Sequence, residues 1–90
     1  MLNQVVLVGR ITSINELDNK VVLAVTRNEK NSNGIYDTDF VPIKLPKNIF
    51  VNVCEYCKKG DLIGAKGFIE SNENQEIILV VDKVTFLSSK

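Results

Sequence analysis

The sequence predicts an all-β protein, a small five-stranded barrel with one short helix between its third and fourth strands. Three observations carry that prediction. Apolar runs rich in β-branched residues recur at Val5–Val8, Val21–Val25 and Ile77–Val81. Polar, turn-prone stretches separate the strand-like segments. A single amphipathic stripe of helical period stands between the third such segment and the fourth.

The first strand is expected over Asn3–Ile14. Its unbroken run Val5–Val8 lacks the alternation of a half-buried strand, so both faces are expected to be covered. Asn15–Asn19 is a turn, and the second strand is expected over Lys20–Arg27. Asn28–Asp37 reads as a polar loop, with Asn31-Ser-Asn-Gly34 as its turn chemistry. The third strand is expected over Asp39–Leu45. Alternation points Val41, Ile43 and Leu45 inward and Phe40, Pro42 and Lys44 outward.

The helix is expected between Asn48 and Lys59, just after Pro46, with Asn48 as its N-cap. Phe50, Val53, Cys54 and Cys57 fall at i, i+3, i+4 and i+7 and form its core-facing stripe. Lys58 and Lys59 suit the C-terminal end of the helix dipole, and Gly60 ends it. A hairpin closes the chain: Leu62–Ser71, a tip over Ser71–Gln75, and Glu76–Leu87. Three strands, a helix and a hairpin in this order match the five-stranded OB-fold Greek-key barrel, whose helix plugs one end.

Ninety residues, 44% hydrophobic and 24% charged, suit one domain over residues 1–90 with a small core. No apolar run approaches the ~20 residues that span a bilayer, and Val5–Val8 is too short for a signal-peptide core. A cytosolic protein with no membrane partner is therefore expected. Eleven basic residues balance eleven acidic ones, and the pI is about 6.2. That balance argues against nucleic-acid binding in the style of histones, while a local basic stripe is compatible with it.

The chain has no His, which excludes His-based triads and His metal sites. Its carboxylates are scattered. Gly60, Gly64 and Gly67 lack phosphate-loop spacing and suit close backbone approach or a barrel bend. Cys54-Glu-Tyr-Cys57 matches C-x-x-C, but a redox pair wants a helix N-terminus and a zinc site wants more ligands. Both thiols are expected to be reduced and buried. No catalytic residue, metal or cofactor is expected.

Binding has better candidates. Phe40 and Lys44 share an outward face, where a ring stacks on a base and an ammonium meets a phosphate. The other reading of Phe40 is a cover for the loop or a subunit contact. Lys66 and Phe68 point outward from the fourth strand; Phe68 either stacks on a base or packs on a neighbouring subunit. Arg27, Lys30 and Tyr36 supply two cations and a ring near the polar loop, and Arg10 and Lys47 complete a sparse basic set. A small barrel buries only its interior, so apolar residues on outward faces imply a partner. A homodimer or homotetramer is the simplest form.

Four blocks stand in an order that resembles the bacterial single-stranded-DNA-binding protein family. They are Asn3 ahead of Val5–Val8 and Gly9-Arg10, then Leu23-Ala-Val-Thr-Arg-Asn28, then Asp39-Phe40, then Lys58-Lys-Gly-Asp-Leu-Ile-Gly-Ala-Lys-Gly67. The resemblance implies an OB fold, oligomers, and non-enzymatic binding of single-stranded DNA with little sequence preference. It also implies work in replication, repair or recombination. The family pattern places aromatics in the loop after the second strand, at both ends of the third and at the end of the fourth. Only Phe40 matches; the other neighbourhoods read Asn28-Glu29, Leu45-Pro46 and Ser71-Asn72, and no Trp occurs. Modest affinity is expected. Gly67-Phe-Ile69 is also similar to a triplet of the primosomal replication protein built on this fold. The family's long tail with an acidic, partner-recruiting tip is not expected after Ser88-Ser-Lys90. Replication proteins remain partners that the resemblance implies. The alternative function is an OB-fold protein-interaction module of replication or mobile-element machinery that has lost most stacking residues.

Overall fold

The computed structural model describes residues 1–88. Five strands and one helix follow in chain order: β1 (Val5–Asn15), β2 (Lys20–Lys30), β3 (Tyr36–Lys44), α1 (Lys47–Tyr56), β4 (Leu62–Ser71) and β5 (Ile77–Phe86). The strands close into a barrel in the order β1-β2-β3-β5-β4. Four of the pairings are antiparallel. The fifth is parallel and short, with Ile43 opposite Leu79 and Lys44 opposite Val80. This is the predicted OB arrangement.

Alternation along each strand fills the interior. Ile14, Val21, Ile43 and Leu79 form one inward row across β1, β2, β3 and β5. The buried core is Ile11, Val21, Leu23, Ile43, Leu45, Phe50, Val53, Ile63, Ala65 and Val81. Each fully buried aliphatic side chain contributes about 1.5–3 kcal/mol. On the outward side of β1, Val6 is 67% exposed and Val8 51%. The expected cover on both faces of β1 is therefore absent from the single chain.

Short polar devices set the ends. The Asn3 side chain accepts from the Ile69 amide at 2.9 Å and donates to the Ile69 carbonyl at 2.8 Å. It thereby continues the β1–β4 ladder with a side chain in place of backbone. Asn72 holds the hairpin tip by accepting from the amides of Asn74 and Glu76. The segment expected as a loop over Asn28–Asp37 is mostly a hairpin extension. β2 runs on to Lys30 and β3 begins at Tyr36, with a bulge between Thr26 and Lys30. Asn31 closes this turn, its side-chain oxygen accepting from the amides of Asn33 and Ile35. Asn and Asp compete locally for backbone groups, which is why the composition read as loop.

The helix differs from expectation in three respects. Pro46, not Asn48, is its N-cap, and no side chain caps it. Pro46 arrives with φ already fixed and gives its carbonyl to the Phe50 amide at 2.8 Å. Asn48 is the second helical residue, two positions past the cap. At the other end the helix stops at Tyr56, and Cys57 is extended. Lys58 and Lys59 therefore lie beyond the helix, outside its dipole. Lastly, the stripe that meets the core is Ile49, Phe50, Val53 and Cys57. Cys54 lies on its flank and is exposed, while Cys57 is half-buried. The expectation of two buried thiols fails at Cys54 because the stripe centres on Val53.

Glycine at position 67 is a steric requirement. A Cβ there would land on the Val80 carbonyl oxygen and lie 2.7 Å from the Val81 Cα. The β-bulge between Lys66 and Gly67 sits at this point. Gly9 is similar, with a Cβ 2.6 Å from the Ala24 carbonyl oxygen, whereas Gly64 has only van der Waals neighbours at 3.7 Å and beyond. Gly67→Ala should therefore cost more than ~3 kcal/mol in urea unfolding, the range of severe overpacking. Gly64→Ala should cost less than ~1 kcal/mol; equal costs would contradict the close-approach reading.

The thiols give a second check. Partial burial pushes the Cys54 thiol pKa up, with Glu16 adding to it, and burial does the same to Cys57 beside Asp61. The thiolate is the reactive form. Both alkylation rates should keep rising past the pH at which an unperturbed thiol levels off, with Cys54 faster than Cys57. Equal rates would contradict their different exposure.

Candidate nucleic-acid interface

The register of β1, β2 and β3 lays out one continuous outward face. Its rows read Arg10–Ala24–Phe40, then Ser13–Val22–Pro42, then Asn15–Lys20–Lys44. Phe40 stands out of this face, 66% exposed. Its direct cross-strand neighbour Ala24 and the next row, Ser13, Val22 and Pro42, are small or aliphatic, so the ring is flanked there by low relief. Lys44 lies four residues along the same strand, about 13 Å away at the usual strand rise. Among the described residues Lys44 has no carboxylate partner.

The other candidates divide by location. Arg10 shares the Phe40 row, but its guanidinium donates to the Gly60 carbonyl at 3.0 Å. That bond ties β1 to the turn before β4, where the Ile11 amide also donates to the Asp61 carbonyl at 2.9 Å. Lys30 and Tyr36 sit opposite each other at the base of the β2–β3 turn, with the Lys30 ammonium 5.7 Å from the centre of the Tyr36 ring. Tyr36 is 49% exposed. Lys47 opens the helix just past the end of β3. Lys66 lies away from this group, between Val6 of β1 and Lys83 of β5.

Arg27 is engaged. Its Nε and one terminal nitrogen donate to the two carboxylate oxygens of Asp39 at 2.9 and 3.0 Å. Asp37 lies 3.9 Å from the guanidinium. The hydrogen bonds from Arg27 hold the Asp39 carboxyl below the usual carboxylate range, and Asp39 in turn raises Arg27. By alternation Asp39 points to the opposite face of β3 from Phe40. Arg27 is thus neutralised and turned away from the outward face that carries Phe40.

Phe68 is half-buried. It borders a narrow crevice lined also by Leu7, Ala65, Leu79 and Val81. It stands in the Lys44 row, two strands round, through Val80. Lys20 is a residue that sequence reasoning missed. It lies directly opposite Lys44, exposed, and likewise has no carboxylate partner among the described residues. Its place could be read only from the register of the β2–β3 pairing.

A family model described as the single-strand binding protein family matches residues 2–86. The chain belongs to that family. It is 36% identical over 106 aligned residues to single-stranded DNA-binding protein B of Bacillus subtilis, covering 100% of this chain and 94% of that protein. It is 42% identical over 86 residues to the single-stranded DNA-binding protein of Streptococcus mutans, covering 84% of this chain but 52% of that protein. Among solved structures, a mitochondrial single-stranded DNA-binding protein of S. cerevisiae superposes with TM-score 0.78 at 19% identity, covering 100% of this chain and 99% of that one. The Plasmodium falciparum SSB, solved in complex with ssDNA, superposes with TM-score 0.70 at 18% identity, covering 98% and 96%. At such identities the likeness to these two is one of fold.

Proposed function

We propose that this chain binds single-stranded DNA with little sequence preference, without a catalytic step, in replication, repair or recombination. The observation that carries the reading is an exposed aromatic ring, Phe40, in the body of a strand, on a face that also bears Lys44, which has no carboxylate partner among the described residues. A ring so placed offers one base a stacking surface worth ~1–3 kcal/mol, and stacking accepts any base. Lys44 meets the backbone, while Tyr36 with Lys30 extends the track along the hairpin. Family membership and the names of the relatives support the same reading. A cytosolic setting is part of it.

Affinity is modest in this reading. Two exposed rings on the β3 face, Phe40 and Tyr36, and a net charge of zero leave few stacked bases and few released counterions. Arg27 contributes little to it, because Asp39 already occupies its guanidinium.

The chain also self-associates in this reading. Val6 and Val8 stand exposed side by side on β1. An apolar row of this kind suits a second copy of the chain. Sedimentation at micromolar concentration should give a dimer or tetramer, and a 10 kDa monomer would refute it.

Substitution tests the site itself. In titrations with labelled oligonucleotide, Phe40→Ala should lose ~1–3 kcal/mol. Lys44→Ala should weaken binding to every sequence and flatten the salt dependence by about 0.7 of a log unit per log unit of salt. Arg27→Ala should do less than Lys44→Ala. Absence of binding even at low salt, where attraction is strongest, would favour the protein-interaction module instead. Binding that is indifferent to Phe40 and Lys44 would move the site elsewhere.

A further inference from the structure

We propose that Lys20 and Lys44 form a cross-strand clamp for one phosphate of the bound strand. Lys20 lies outside every sequence block that carries the family resemblance. The inference rests on the DNA-binding reading above and adds a residue and a ligand group to it.

The two lysines are direct partners in the β2–β3 register. Opposed residues of an antiparallel pair have Cα atoms about 4.5–5.5 Å apart. Like charges held this way destabilise a sheet. Neither lysine has a carboxylate partner among the described residues. Their neighbours in the row, Asn15 on β1 and Val80 on β5, carry no charge to relieve them. An anion between the ammonium groups would offset the cost that such a like-charge pairing carries. Lysine stems are flexible enough to converge on one such anion.

The surroundings select a nucleic-acid phosphate over a free ion. A shallow groove beside the pair is lined by Pro42 and by Ile77, Ile78 and Leu79 of β5. Ile77 is 71% exposed. An apolar wall next to two amines has nothing to offer a hydrated inorganic phosphate. It suits a sugar or base attached to the phosphate being held. The pair also lies on the outward face of Phe40, about 13 Å along β3. A single strand can therefore stack at Phe40 and be gripped at Lys20 and Lys44.

A clamp predicts opposite changes in stability and affinity. Lys20→Glu places a carboxylate against Lys44, so the free protein should melt at the same or a higher temperature. Binding of a labelled oligo-dT of about fifteen nucleotides should nevertheless weaken about tenfold at about 50 mM salt, with a shallower salt dependence. Lys83→Glu makes the same charge change on the β4–β5 face, opposite Lys66. It should weaken binding less than about twofold. Because one phosphate is shared, Lys20→Ala with Lys44→Ala together should cost less than the product of the two single losses.

The outcomes separate cleanly. If the unaltered protein binds and Lys20→Glu binds as well, the clamp is wrong and the DNA-binding reading stands. If Lys83→Glu costs as much as Lys20→Glu, the effect is one of overall charge and the clamp is wrong. Losses that multiply in the double variant would assign the lysines to separate phosphates and overturn the shared site. If the unaltered protein and all variants fail to bind at low salt, the DNA-binding reading falls and the clamp falls with it.

Discussion

Closure of this barrel depends on a two-residue parallel pairing, Ile43 with Leu79 and Lys44 with Val80. That pairing exists because β5 can fold back across β4 at the bulge beside Gly67, where any side chain would strike the Val80 carbonyl. Without it, β3 and β5 would each present an unpaired edge, and open edges invite further strand pairing. With it, each strand has neighbours on both sides and recognition falls to side chains. The same contact sets the rotation of β3, sending Ile43 into the core and Lys44 outward. The steric condition at one glycine thus reaches the face that carries Phe40.

That face is defined more by relief and cation placement than by net charge. Four of the basic residues on or near the hairpin and first strand, Arg10, Arg27, Lys30 and Lys44, are used in different ways. Arg10 fastens β1 to the Gly60 turn, Arg27 is bound by Asp39, and Lys30 lies over Tyr36. Lys44 and its partner Lys20 have no such engagement among the described residues. The planar guanidinium suits bidentate carboxylate and carbonyl contacts, whereas an exposed ammonium pair remains available to an incoming anion. A protein with as many acids as bases can therefore still present, among the described residues, two ammonium groups without carboxylate partners in one row.

Most of the fold was legible because two periods are plain in the chain. Alternation in Asp39–Leu45 gave the correct inward and outward sets, and β4 begins and ends where its turn residues place it. The Asn before the first apolar run, notable at first only as a resemblance, proves to be a side chain standing in for backbone against Ile69. Errors gathered where neighbouring residues compete for one role. Asn48 has cap chemistry, but Pro46 already supplies the turn; Cys54 sits at stripe spacing, but the helix is rotated toward Val53. The hairpin over Asn28–Asp37 looked like loop because its polar side chains serve a turn that projects from the barrel. The layout of the candidate site was half legible. Phe40 and Lys44 follow from alternation along one strand, while Lys20 and the capture of Arg27 depend on which residues face each other across strands, which the sequence does not spell out.

Amide chemical shifts of the protein, recorded with and without a short oligo-dT, test most directly whether the outward β2–β3 face holds the strand. The largest changes should fall on Lys20–Ala24 and Phe40–Lys44, with smaller ones at Lys30 and Tyr36. Changes confined to the Val6, Lys66 and Lys83 side of the barrel, or none at saturating oligonucleotide, would contradict that placement.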